Sequence, residues 1–374
     1  MNSLEYNKQD YLRLGEQPLS GTSLVNWVRI LRDNNFKIDW EFIPKAIYVT
    51  SMILALSPFR YLERKKFDSK IKQVKNVQPI FIVGHFRSGT TFLHYLLGQD
   101  PNLAYVSTFE TMTPGIIIAK EELFKNLVKN HLPTKRPMDD LEMNANLPYE
   151  EEYAIANLSP HSFYHGWYFP RNLKSYFDKY SVSNNKNNGN IEHWKKTYDY
   201  FVKKITYKNN GKTVLLKSLV NTGKIKHVLE LYPNAKFIHI HRDPYKVYMS
   251  TWKLYQKILP IFSFQHIDSE TLDENILYNY KELFSKYLKE KSLIPKENLI
   301  EFGYNKFVNN PVETLKETYE KLRIPQFESA KPFFEKYVDE HQNYKAEEYR
   351  FNISLKKKIY KNWKIMFDAY GYDQ

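Results

Sequence analysis

Cysteine is missing from all 374 residues. That absence removes disulfides, thiolate nucleophiles and cysteine-ligated zinc together. A signal-peptide core is missing too: the opening MNSLEYNKQDYLRLGEQ is polar, so the expected compartment is the cytoplasm. Long basic blocks are also lacking. The 55 Lys and Arg against 42 Asp and Glu leave a net charge of +13, but these charges are scattered, which argues against a nucleic-acid-binding arm. The excess fits a polyanionic partner, such as an anionic lipid surface or a multiply charged nucleotide, and equally a solvated Lys-rich surface with no partner.

The chain has one nearly uncharged stretch, Ala46 to Phe59, and it is short for a helix that spans a bilayer. Lys45 precedes it, and Arg60, Arg64, Lys65 and Lys66 follow. A buried helix packed on a sheet fits this pattern. An amphipathic helix on an anionic membrane face fits it as well, which makes residues 46–66 a candidate peripheral membrane contact.

What is present points to a large folded chain. Apolar residues make up 42%, with 30 Tyr and 24 Phe, ample for an extensive core and incompatible with general disorder. Residues 1–75 read as a helical N-terminal extension. Short β-branched runs follow at 79–83 (PIFIV), 104–106, 213–217 (TVLLK), 236–241 (KFIHIH) and 298–302 (NLIEF). Helical patterns begin near Thr91, Gly223, Tyr245 and Val312. Strands alternating with helices predict an α/β fold with a central parallel sheet covered by helices on both faces. The α/β domain is expected over 76–374. It is interrupted at about 120–210 by a proline-containing irregular insertion with a polar loop at 181–190. The C-terminal segment 328–370 reads as two helical pieces around a loop near 342–352.

The strongest local signal is Gly84-His85-Phe86-Arg87-Ser88-Gly89-Thr90-Thr91. It lies between a predicted strand and a predicted helix, the context in which loop amides and a helix N-terminus cradle an anion. The spacing G-x-x-x-x-G is that of a P-loop, but Thr90 stands where a nucleoside triphosphatase needs lysine. Arg87 supplies a cation inside the loop instead. A second signal is the strand KFIHIH followed by Arg242-Asp243-Pro244, with Ser250 eight residues after Arg242. A strand-end Arg and a Ser two turns into the next helix can face one anion, and the Arg fork grips phosphate in bidentate fashion.

The segment VGHFRSGTTFLHYLLGQDP resembles the 5′-phosphosulfate loop of sulfotransferases that use 3′-phosphoadenosine 5′-phosphosulfate (PAPS), in the branch whose loop reads R-S-G-T-T. The resemblance extends over about 78–350 and implies that Arg87, Ser88, Gly89, Thr90 and Thr91 hold the phosphosulfate. It implies that Arg242 and Ser250 bind the 3′-phosphate. Lys217, at a strand end, is implied to stabilise the leaving group, and Lys345, with His341 nearby, belongs to a C-terminal loop over the nucleotide. The implied product is 3′,5′-adenosine bisphosphate (PAP). The expected acceptor is a hydroxyl on a small molecule, glycan or lipid, and no metal is demanded because fixed Arg and Lys can stabilise the charge.

Many small-molecule sulfotransferases carry a His two residues after the lysine matching Lys217. Here that residue is Leu219, so the general base must lie elsewhere. Glu110 ranks first because it falls close to where protein-tyrosine and glycan sulfotransferases keep a catalytic Glu. Glu151 and Glu152 follow, then His165 in the aromatic run PHSFYHGWYFP. The aromatic residues of that run fit either an acceptor pocket or the core. Asn221 and Thr222 read as caps of the helix after Lys217. Two other functions compete: an ATP-dependent small-molecule kinase, and a non-enzymatic membrane-surface polyanion binder. The missing lysine opposes the first, and the paired anion motifs oppose the second.

Overall fold

A computed structural model of the chain describes residues 4–136, 139, 141–182, 188–341 and 349–373. After short helical turns between Lys8 and Gly21, the first long helices are α1 (Leu24–Asp33) and α2 (Ile43–Lys72). Strand β1 (Ile80–Val83), helix α3 (Thr90–Leu97), strand β2 (Leu103–Tyr105) and the short α4 (Thr108–Met112) follow. Then come α5 (Glu121–Lys129), α6 (Glu151–Leu158), α7 (Leu173–Tyr180) and α8 (Asn188–Lys208). Alternation resumes with β3 (Thr213–Lys217), α9 (Ile225–Leu231), β4 (Lys236–His241), α10 (Pro244–Phe262) and α11 (Ser269–Glu290). Strand β5 (Leu299–Gly303) precedes α12 (Pro311–Leu322), α13 (Phe327–Glu340) and α14 (Ile353–Tyr370).

All five strands are parallel, in the order β2-β3-β1-β4-β5. The inner strands carry apolar residues on both faces, as a sheet covered on both sides requires: Ile80 to Val83 of β1 are fully buried. From β1 the chain turns one way to β2 and β3 and then the other way to β4 and β5. The loops after β1 and β4 therefore flank a topological switch point, where open α/β sheets bind ligands.

The chain divides into two compact units. One comprises residues 1–76, 106–210 and 253–275; the other comprises 77–105, 211–252 and 276–374 and holds the sheet. The expected N-terminal extension and the expected insertion both fall in the first unit. The insertion is more regular than its prolines suggest, because Pro133, Pro148 and Pro160 lie between helices and Pro170 opens a short 3-10 turn rather than interrupting a helix. The polar loop expected at 181–190 lies partly outside the described residues, as does most of the C-terminal loop.

In the first unit, α2 runs well beyond the apolar stretch expected from sequence. Its inner stripe includes Val49, Ile53, Leu56, Phe67 and Ile71, all buried. Lys45 is buried in the same stripe and donates to the carbonyls of Ile261 at 2.5 Å and Ser263 at 3.2 Å. Glu63, also buried, pairs with Lys204 of α8 at 2.6 Å and accepts the backbone N–H groups of Ile117, Ile118 and Ala119 at 2.9 to 3.0 Å. Burial of an ion pair is tolerated when its remaining valences are satisfied in this way.

Candidate active site

The loop after β1 owes its shape to two glycines. Gly84 has φ +148°, and a Cβ there would stand 2.5 Å from the Ile240 carbonyl oxygen of β4. Gly89 has φ +96°, and a Cβ there would meet the Tyr304 ring at 2.5 Å. Between them Arg87 takes φ +67°, a left-handed conformation that costs a non-glycine residue free energy and persists only where surroundings hold it. Those surroundings are specific. Arg87 Nε donates to Ser250 Oγ at 2.7 Å, and Arg242 Nη1 donates to the Arg87 carbonyl at 3.0 Å.

The two motifs, about 155 residues apart in sequence, are thus one hydrogen-bonded constellation at the carboxyl ends of β1 and β4. Ser250 lies on α10 and is buried. The Arg242 guanidinium stacks on Tyr304 at 4.2 Å from the ring centre, and its Nε is a buried donor with no partner among the described residues. An orphaned guanidinium donor is costly to bury and suits an anionic ligand.

Ser88 and Thr90 are buried; Thr90 opens α3 directly after Gly89, and Thr91 follows it. His85 is fully buried against Tyr280, and burial pushes its pKa down to about 4. At neutral pH it therefore adds no charge to the loop. Lys217 ends β3, buried, in register with Ile82 two residues before the loop. Thr222 departs from the capping expectation. Its hydroxyl accepts from Gly84 N at 2.8 Å and donates to Gly84 O at 3.1 Å, clamping the entry to the loop. Asn221 and Thr222 instead lie in a short helical turn, Leu219–Thr222, capped by Ser218, whose Oγ accepts from Val220 N at 3.2 Å. Lys345 lies outside the described residues. His341 stacks on Tyr337 at 4.0 Å, with Nδ1 2.8 Å from the Tyr337 carbonyl.

The four candidate bases lie in the other unit and differ in their partners. Glu110 forms a capping box with Ser107: Oε2 accepts Ser107 N–H at 2.7 Å, and Ser107 Oγ accepts Glu110 N–H at 3.3 Å. Its Oε1 accepts from Lys208 Nζ at 2.7 Å, and Lys208 also reaches Glu121 at 2.6 Å. Burial works against the Lys208 charge, but the two carboxylates outweigh it and raise its pKa. Glu151 accepts from Tyr198 Oη at 2.8 Å, and Glu152 from Ser162 Oγ at 2.6 Å; both side chains are fully buried.

His165 is a core residue in its geometry. Nδ1 faces the Pro160 carbonyl at 3.1 Å and Nε2 faces the Ala156 carbonyl at 3.0 Å, so neither nitrogen is directed at a reactant. Burial lowers its pKa to about 4. The aromatic run around it is core as well: Phe163, Tyr164, Trp167, Tyr168 and Phe169 are all buried, with Tyr164 stacked on Trp167 at 4.2 Å. Among the described residues no group of three or more His, Asp or Glu side chains is placed to hold a metal ion.

The five-stranded parallel sheet thus brings the Arg87 loop and the Arg242–Ser250 segment together at the carboxyl ends of β1 and β4. The model of the sulfotransferase family matches residues 79–329, and the chain belongs to that family. It is a sulfotransferase. Omega-hydroxy-beta-dihydromenaquinone-9 sulfotransferase Stf3 from Mycobacterium bovis and from Mycobacterium tuberculosis is 29% identical over 361 residues. That match spans 95% of this chain and 91% of each relative. Two solved structures share the fold. Sulfotransferase STF9 from Mycobacterium avium superposes with a TM-score of 0.66 at 14% identity, covering 94% of this chain and 97% of that one. Sulfotransferase STF1 from Mycobacterium tuberculosis H37Rv gives 0.65 at 16% identity, covering 96% and 93%.

Proposed function

We propose that the chain takes its sulfuryl group from PAPS and places it on the terminal hydroxyl of a lipid-like acceptor at an anionic membrane face. The observation that carries the donor reading is the Arg87–Ser250–Arg242 constellation. It joins a phosphate loop without the triphosphatase lysine to a second cationic group with an unpartnered buried donor. PAPS, bearing a 5′-phosphosulfate and a 3′-phosphate, matches two linked anion sites; ATP leaves the second without a ligand.

The loop amides, Ser88, Thr90 and Thr91 bind the phosphosulfate oxygens. Arg242 and Ser250 take the 3′-phosphate. In the transfer, an acceptor oxygen lone pair forms a bond to sulfur while the bond from sulfur to the bridging phosphate oxygen breaks. The electron pair leaves with PAP, where Arg87 and Lys217 offset the charge. Glu110 takes the acceptor proton. A carboxylate offers about four acceptor sites; Lys208 and the Ser107 amide occupy two and orient the rest.

The lipid reading draws on the Stf3 relatives, whose name specifies a hydroxylated menaquinone, and on α2. The helix from Trp40 to Lys72 is long enough, and contains a stretch apolar enough, to cross a bilayer by length and composition. Its buried Lys45 and Glu63–Lys204 contacts fit a helix packed against protein along one stripe. The opposite stripe presents Ile43, Ile47, Leu54 and Leu62 to solvent, with Trp40 76% exposed at its start. Arg64, Lys65, Lys66 and Lys70 are exposed toward its C-terminal end. An apolar stripe beside cations suits the interface of an anionic membrane.

Calorimetric titration of PAP and 5′-AMP tests the donor site. Arg242→Ala weakens PAP by about 10- to 100-fold, the value of a charged hydrogen-bonding contact, and 5′-AMP much less. Equal losses for both ligands would remove the 3′-phosphate assignment.

A further inference from the structure

The first unit contains an apolar cleft of about 350 Å³, within the range of small-molecule sites. Its walls come from the turn at residues 15–21, from α2, from the end of α4, from α5 with the following loop, and from Phe262. Three of the chain's seven methionines, Met52, Met112 and Met143, line it. Such unbranched, polarisable side chains adapt to a flexible apolar guest.

Several polar groups at its edge already have protein partners. Glu16 pairs with Arg13 at 2.7 Å, Gln17 Nε2 donates to the Phe262 carbonyl at 2.7 Å, and His131 Nδ1 lies 2.8 Å from the Leu127 carbonyl. The cleft is therefore built for hydrocarbon rather than for a polar ligand. Its wall at α4 is firmly seated, since a Cβ on Gly21 would fall 1.7 Å from the Met112 carbonyl oxygen.

Two continuities indicate what fills it. Helix α4 carries Glu110 in its first turn and ends at Met112, inside the cleft wall. Helix α2 turns Tyr48, Met52 and Leu56 toward the cleft, while Ile47 and Leu54 lie on its exposed side. One helix thus borders both the cavity and the outward apolar stripe, and a second leads from the cavity to the proposed base.

We propose that this cleft binds the hydrocarbon chain of the acceptor, a prenyl or long alkyl alcohol, and so selects acceptors by chain length. The proposal rests on the lipid-acceptor reading above, but its test does not require turnover. Farnesol and hexadecanol are titrated against the protein without donor, with butanol as the short-chain control and PAP titrated separately. The long alcohols bind and butanol does not. Met52→Trp and Val128→Trp, which fill the cleft from α2 and from α5, each weaken farnesol at least tenfold while PAP affinity stays unchanged.

A measurement on the unaltered protein accompanies these variants. Farnesol protects Met52, Met112 and Met143, but not Met249, from peroxide oxidation read by mass spectrometry. Failure of farnesol to bind, binding that neither variant alters, or protection that does not distinguish these methionines would overturn the proposal. Loss of PAP binding in the unaltered protein, with farnesol binding intact, would instead overturn the donor assignment and leave the cleft standing.

Discussion

Arg87 concentrates the contacts of the proposed donor site in one residue. Its backbone occupies the left-handed region, its Nε reaches Ser250, and its carbonyl is held by Arg242. Side chain and backbone are each tied to one half of the second motif. The motif spacing made both halves legible in sequence, because a strand, two glycines and an internal Arg form a local pattern. Two residue roles were not legible. The Thr222 hydroxyl that clamps Gly84 comes from the neighbouring β3 connection, and no local pattern separates that contact from a helix cap. His165 looked reactive in an aromatic run, yet two backbone carbonyls enclose its ring. Glu110→Gln keeps the capping box, since Gln serves there as Glu does, and leaves PAP affinity unchanged. Transfer falls by about 10²- to 10⁴-fold, the usual contribution of a general base. Full activity in this variant would move the base to Glu151 or Glu152.

Among the elements, β3 and β4 have the bounds read from the sequence, and β1, β2 and β5 lie within a residue of theirs. Short apolar runs, buried on both faces in β1, β3 and β4, leave little ambiguity. Helix α2 was read less well. Its apolar stretch was seen, but its full length was not, because the helix continues through a charged segment in which Glu63, Phe67 and Ile71 still face inward. The cleft was invisible in sequence, since its walls come from five separated segments. The exposed stripe of α2 can be examined directly. In flotation with vesicles of phosphatidylglycerol and phosphatidylcholine, the protein binds, and raising the salt weakens binding. The double variant Ile47→Glu, Leu54→Glu loses at least about tenfold of that binding, since charge at those positions must be desolvated at the interface. Equal binding by the variant, or none by the unaltered protein, would remove the membrane contact.

For the whole molecule, buried histidines set the response to acid. His85 and His165 are fully buried, and burial lowers each pKa from 6.5 to about 4. The unfolded chain binds their protons near pH 6.5, whereas the folded chain resists them until about pH 4. Stability is therefore independent of these groups above pH 6.5 and falls as pH drops from 6.5 toward 4. The slope is up to about 1.4 kcal/mol per pH unit for each histidine. Urea unfolding across that window measures it, and His165→Gln flattens the profile. A profile flat down to pH 4 would contradict the burial of both rings. At lower pH the Glu301 carboxylate adds to the loss. Burial alone would raise its pKa, but hydrogen bonds from His239, Lys291 and Tyr370 outweigh that and hold it well below the usual range. The stability it contributes is present above the ordinary carboxylate pKa and disappears as pH falls through its own.

The donor assignment underlies every functional step, and thermal unfolding with PAP, 5′-AMP and ATP–Mg²⁺ in parallel tests it most directly. PAP at about 100 times its dissociation constant should stabilise the folded chain by about 2.7 kcal/mol, with 5′-AMP and ATP–Mg²⁺ at the same concentration giving clearly less. A response to ATP–Mg²⁺ that exceeds the response to PAP, or no response to PAP in a folded sample, would contradict the account.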